Sequence, residues 1–141
     1  MTAPRLLPTP EGDPQPAIFD ENHLGRMTLG DRRLEREVLE LFLRQTTIML
    51  NRVVGAEPPL AAAAAHTLKG SARGIGAWRV ARAAELLEQA ANGGAGKEGC
   101  GDAGRDLFEA AAELRAASLE AGAAIGARLT ALLTELGRER S

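Results

Sequence analysis

AAAAAHTLKGSARGIGA, residues 61–77, is the stretch whose reading decides the fold. On a helical wheel at about 100° per residue, Ala61, Ala64, Leu68, Ala72 and Ile75 gather on one side, and His66 stands opposite them. Ala62, Lys69, Gly70 and Arg73 fall within about 60° of the histidine on the same wheel. The pattern predicts an amphipathic helix from about Pro59 to Ile75, with its apolar face turned inward and its histidine turned to solvent. Pro58-Pro59 marks its start, because proline suits the first helical turn, and Gly74 and Gly76 mark its end.

The flanking sequence supplies helices for this one to pack against. Upstream, Leu34, Val38, Leu41, Gln45 and Ile48 recur at helical spacing, with Phe42 and Met49 widening the stripe, which predicts a long helix from Asp31 to about Val54. Before it, Asp20 is a good N-cap for a short helix reaching about Leu29, interrupted by Gly30. Downstream, Val80, Ala83, Ala84, Leu87 and Ala91 form the apolar face of a helix from Ala77 to about Ala91. Arg79, Arg82, Glu85 and Gln89 occupy its other face, and Glu88 lies at the boundary. Residues 92–101 hold five glycines in ten positions and are expected to form a mobile loop. Asp102 then caps a last, longest helix whose stripe runs from Leu107 through Leu114, Ala121, Ile125 and Leu132 to Leu136. The expected fold is all-α: an antiparallel up-down four-helix bundle over residues 18–141, with a short extra N-terminal helix. Residues 1–17 contain five of the seven prolines and little apolar surface, so they are expected to form a flexible tail.

Composition excludes several functional classes. The chain has 141 residues, enough for one domain with a real core. Its 27 alanines and 20 leucines, with aromatics at only 3%, favour helix over sheet. A formal net charge of −2 argues against nucleic-acid binding, which needs a basic surplus. The N-terminal stretch, broken by prolines and with Arg5 as its one basic side chain, does not resemble a secretory leader. The mixed polar face of the last helix argues against a role on a membrane surface. One cysteine (Cys100) and two histidines (His23 and His66) make a poor zinc kit, so neither metal nor cofactor is expected.

The chemistry concentrates around His66. A histidine opposite the apolar stripe has no structural role in the core. Gly70 follows it one turn later, although glycine in a helix interior is less stable than alanine by about 0.5–1 kcal/mol and this chain uses alanine freely. A bare helix surface there suits close approach by another molecule. Lys69, at i+3, is a side-chain neighbour of the histidine. A neighbouring cation favours a neutral, nucleophilic imidazole and would stabilise a dianionic phosphoryl group carried on it. Arg73 extends the same face, and its alternative is an ordinary solvated arginine.

These residues resemble the signature of histidine-containing phosphotransfer (HPt) domains. The resemblance rests on His66-Thr67-Leu68-Lys69-Gly70-Ser71-Ala72, then Gly76-Ala77 and Leu87-Glu88, and covers about residues 60–92. It implies a four-helix bundle that carries a phosphoryl group between aspartates of receiver domains in a two-component phosphorelay. His66 would be phosphorylated, on Nε2 by resemblance; Lys69 would stabilise the phosphoryl group; Ala62, Gly70 and Arg73 would face the partner. The partners implied are receiver domains of response regulators or hybrid histidine kinases, and magnesium would belong to the receiver. Some members carry a basic side chain where this sequence has Asn92. The protein is thus expected to be a cytoplasmic, monomeric phosphocarrier rather than an enzyme in its own right. A helical adaptor that binds a regulator without transfer is the alternative. A dimeric kinase-like bundle fits less well, because Thr67 stands where an acidic residue is usual and no proline follows Pro59.

Overall fold

Free N–H groups at three helix starts are met locally. Asp20 accepts a hydrogen bond from the His23 amide at 3.0 Å and opens α1 (Glu21–Met27). Asp31 accepts from the amides of Arg33 and Leu34 and opens α2 (Arg32–Val53). Pro58 and Pro59 open α3 (Pro58–Ile75), where a missing N–H loses nothing. Then come α4 (Trp78–Gly96) and α5 (Ala103–Arg140). This computed structural model describes residues 18–96 and 103–140, and no strand occurs among them. The expected tail over 1–17 and the expected cap Asp102 lie outside the described residues.

In the bundle α2 packs on α3, α3 on α4, α4 on α5, and α5 back on α2, so α3 and α5 occupy diagonal corners. The α3–α4 contact is the most extensive. It is lined by small side chains, with Ala61, Ala65 and Ala72 of α3 and Ala81, Ala84 and Ala91 of α4 all buried. Leu39, Leu68, Leu87, Leu114, Ile125 and Leu132 fill the centre. The short α1 is pinned at the turn between α3 and α4. Gly76 there has φ +86°, and a Cβ on it would come within 2.9 Å of the Asp20 Cβ. The Asp20 amide donates to the Gly76 carbonyl at 2.9 Å, and Trp78 Nε1 donates to the Asp20 carboxylate at 3.2 Å. Those bonds, the His23 amide first and then Trp78, hold the Asp20 carboxyl below its usual pKa range.

Two sequence expectations need correction. The buried stripe of α2 is Leu39, Phe42, Met49 and Val53, together with the polar Glu35 and Thr46, whereas Leu34, Leu41 and Ile48 are exposed. The helix is therefore turned by about one residue, 100°, from the orientation its apolar spacing suggests. Glu35 and Thr46 are each satisfied inside the fold. The Thr46 hydroxyl donates to the Phe42 carbonyl at 2.7 Å, and Glu35 receives Arg128 of α5 through Nε at 2.6 Å and a terminal nitrogen at 3.2 Å. The second correction concerns α4, which continues through Asn92 to Gly96, where a loop is expected. Glycine in a helix is unfavourable by about 1 kcal/mol relative to alanine but keeps its N–H, so it weakens a helix without forbidding it. Residues 97–101 of that expected loop lie outside the described residues.

The Glu35–Arg128 pair joins α2 to α5, with Glu21 of α1 at 4.0 Å, and the Glu35 hydrogen bond raises the guanidinium's pKa further above its ordinary value. The Glu35 side chain is only 5% exposed. Arg128→Ala is expected to destabilise the fold by about 3–5 kcal/mol, because it strands a buried carboxylate. Urea denaturation of the variant beside wild type checks this, and a change under 1 kcal/mol, roughly the worth of a surface pair, would contradict it.

Candidate functional site

Midway along α3 the side chain of His66 is 67% exposed. Lys69 leans the other way. Its side chain is only 16% exposed, tucked into the α3–α4 seam. Glu88 of α4 meets both: its Oε2 lies 2.9 Å from His66 Nδ1, and its Oε1 accepts from Lys69 Nζ at 2.8 Å. Close alanine packing between the helices brings this carboxylate within reach of a residue 22 positions away in the chain.

The electrostatics follow from that arrangement. The Lys69 hydrogen bond, chiefly, and then the His66 bond hold the Glu88 carboxyl below its ordinary pKa of 4.5, against the opposing effect of partial burial. Glu88 is therefore ionised near neutrality and can only accept hydrogen bonds. The network assigns the proton of a neutral His66 to Nδ1, leaving the Nε2 lone pair unprotonated. Among the described residues Nε2 has no hydrogen-bond partner. The result is an imidazole fixed by one nitrogen and presenting the other to solvent, which is what a nucleophile serving an external substrate requires. The carboxylate's stabilising contribution is complete above pH 4.5 and is lost as pH falls through its lower folded pKa.

The other sequence-predicted residues divide. A Cβ on Gly70 would meet no atom within 4 Å, so nothing inside the fold asks for glycine there, and its surface is open. Arg73 is exposed two turns beyond His66, with Glu85 of α4 at 3.9 Å. Ala62 departs from the expected solvent face: it is buried. On the wheel it lies on the same side of His66 as Lys69, and that side is covered by α4. Glu88, which the sequence offers as a boundary residue and as part of the Leu87-Glu88 motif but with no role of its own, joins His66 and Lys69 at the centre of the candidate site. Its boundary position is itself the signal, since a charged residue at the edge of an apolar face sits where two helices meet. Asn92 is exposed one turn after Glu88 and supplies no charge. Among the described residues, no three His, Cys, Asp or Glu side chains assemble into a metal site.

The Hpt domain family model matches residues 36–139, well over half of the chain. The chain belongs to the Hpt domain family. Hpt domains are phosphocarrier modules of two-component phosphorelays and interact with receiver domains, so a part in histidine phosphotransfer follows from membership. No curated protein and no solved structure matches the chain. The matched region begins inside α2, which leaves α1 and its anchoring turn at Asp20 outside it.

Replacing Glu88 by Ala is expected to abolish the bias toward the Nδ1-protonated tautomer of His66 while leaving helicity intact. Imidazole 15N shifts above the histidine titration range report this directly. A shift pattern identical to wild type would remove Glu88 as the orienting group.

Proposed function

We propose that this Hpt protein carries a phosphoryl group on Nε2 of His66, between aspartates of receiver domains. The observation that carries the reading is the Nδ1–Glu88 contact on an exposed imidazole. In the transfer, the Nε2 lone pair forms a bond to phosphorus as the P–O bond of the aspartyl phosphate breaks, and the aspartate leaves as a carboxylate. The imidazole becomes positively charged with its proton on Nδ1, where Glu88 accepts the hydrogen bond and offsets the charge. Transfer onward is the same step reversed toward a second aspartate. Lys69 lies one turn from His66 and is the nearest cation for the phosphoryl oxygens; to reach them it exchanges its contact with Glu88. The chain's part is to present a nucleophile, so the metal and acidic pocket of the reaction are assigned to the receiver.

Gly70 gives the receiver room beside His66, and Arg73 faces it. The exposed apolar residues of α2 extend the docking face: Leu34, Leu41 and Ile48 share the side of α2 on which Arg52 lines a shallow hollow with Ala63 and Thr67 of α3. We place the exchange in the cytoplasm, as the location of receiver partners.

Two predictions follow from these roles. His66→Gln should fold as wild type and take up no label from a phosphorylated receiver, whereas wild type acquires acid-labile, base-stable phosphate. Label on the variant would move the acceptor elsewhere. Receiver binding by both proteins with label on neither would favour the non-transferring adaptor. Gly70→Leu should weaken receiver binding at least tenfold, about 1.4 kcal/mol, with the melting temperature unchanged or raised. An unaltered dissociation constant in calorimetry would refute the clearance role.

A further inference from the structure

Helix α5 carries two apolar faces, and the bundle uses one of them. Leu114, Ser118, Ala121, Ile125, Leu132 and Leu136 are buried against the other helices. About a third of a turn away, Phe108 is 75%, Leu119 70% and Leu133 53% exposed. The most apolar stretch within Asp106–Arg138 is only 22% buried. Where this second face meets α2, a groove of about 590 Å³ opens, walled by Leu50, Val53 and Val54 on one side and Leu107, Phe108 and Leu119 on the other.

From Phe108 to Leu133 the residues of this face follow alternating steps of four and three, the seven-residue period of helices that pair along their length, with Leu129 at its inner edge half-buried against the core. The large and small residues are unevenly placed: Phe108, Arg115 and Leu119 in the first half, Gly122 and Gly126 in the second. A Cβ on Gly126 would meet nothing within 4 Å, and one on Gly122 only Leu43, at 4.0 Å, so neither glycine is required by the fold. An antiparallel copy of the helix resolves the imbalance. It sets Leu119 against Gly122 of its mate, Arg115 against Gly126, Ala112 against Leu129, and Phe108 against Leu133, each large side chain meeting a smaller or flat one. A parallel pair would instead stack Arg115 on Arg115 and leave the glycines facing each other.

We infer that the protein forms a two-fold homodimer through this outer face of α5, antiparallel, with residues 119 and 122 nearest the axis. The strip is about 38 Å long at 1.5 Å per residue and about 10 Å wide. Two such strips cover about 800 Å², and the groove walls on α2 bring the total to about the 1,000 Å² that a specific interface needs. At that size it sits at the low end of specific interfaces, among weak or transient pairs. The inference is independent of the phosphotransfer reading, and it departs from the monomer expected from sequence because only one stripe of this helix was followed there. Since α3 lies diagonally across the bundle from α5, both copies of His66 face outward and stay accessible.

Sedimentation equilibrium of the full chain tests it without any transfer assay. The expected mass rises toward twice the 14.8 kDa chain as concentration increases through the micromolar range. Leu119→Glu should hold the chain at monomer mass with an unchanged circular dichroism spectrum; a wild type that stays monomeric, or a dimer indifferent to this change, overturns the proposal. The register is tested in a Cys100→Ser background by mixing Phe108→Cys with Leu133→Cys chains. These should cross-link with each other and neither with itself, whereas self-linking of the Phe108→Cys chain overturns the antiparallel register. Binding of a monomeric chain to phosphatidylglycerol vesicles, lost in Leu119→Glu, would assign the face to a bilayer surface and overturn the dimer.

Discussion

The seam of alanines between α3 and α4 sets the distance on which the site depends. Helices pack with axes about 8–10 Å apart, according to the side chains between them, and alanine brings them to the close end of that range. Ala61, Ala65 and Ala72 on one helix and Ala81, Ala84 and Ala91 on the other leave no bulk in the way. A glutamate side chain from α4 can then touch both a histidine and a lysine on α3. Larger residues in the seam would fill the core equally well and pull Glu88 out of reach. The alanine content that makes the chain helical therefore also makes the site.

At the Gly76 end of the bundle, polar contacts act alongside buried apolar side chains such as Leu24. Glu35 and Arg128 tie α2 to α5, and Asp20 ties the short first helix to the turn at Gly76. Gly76 serves that turn twice over, by its positive φ and by the room it leaves for Asp20. The anchoring turn and the site lie at different levels of the same helix pair. Rigidity is thus supplied where α3 and α4 join, while the imidazole stands in the open middle of α3.

Much of this was legible in the sequence, for reasons that differ by element. The exposed placement of His66 follows from Leu68, Ala72 and Ile75, whose side chains commit their face to the core. Ala62 was not legible, because within a run of five alanines the wheel has no contrast, and a neighbouring helix decides which are covered. The orientation of α2 misled for a sharper reason. Its most apolar spacing marks an exposed strip, while its buried face includes Glu35 and Thr46, satisfied by an arginine 93 positions away and by the helix's own backbone. A partner that distant leaves no trace in local periodicity. Glu88 was half legible: its boundary position could be read, its two contacts could not. The extension of α4 through Gly96 shows propensity yielding to a helix already in progress.

The contact between Glu88 and Lys69 has a further consequence for how long such a carrier holds its load. The resting site contains one carboxylate and one ammonium, close to neutral in sum. On the proposed reading a phosphoryl group would add up to about two negative charges at neutral pH, set against Lys69 and the imidazolium proton on Nδ1, with Asn92 contributing none. With Glu88 included, such a loaded state would carry about one net negative charge, which a partner whose pocket brings cations would relieve. On that reading the carrier would favour unloading over storage, with the resting Lys69–Glu88 pair re-forming once the group has gone.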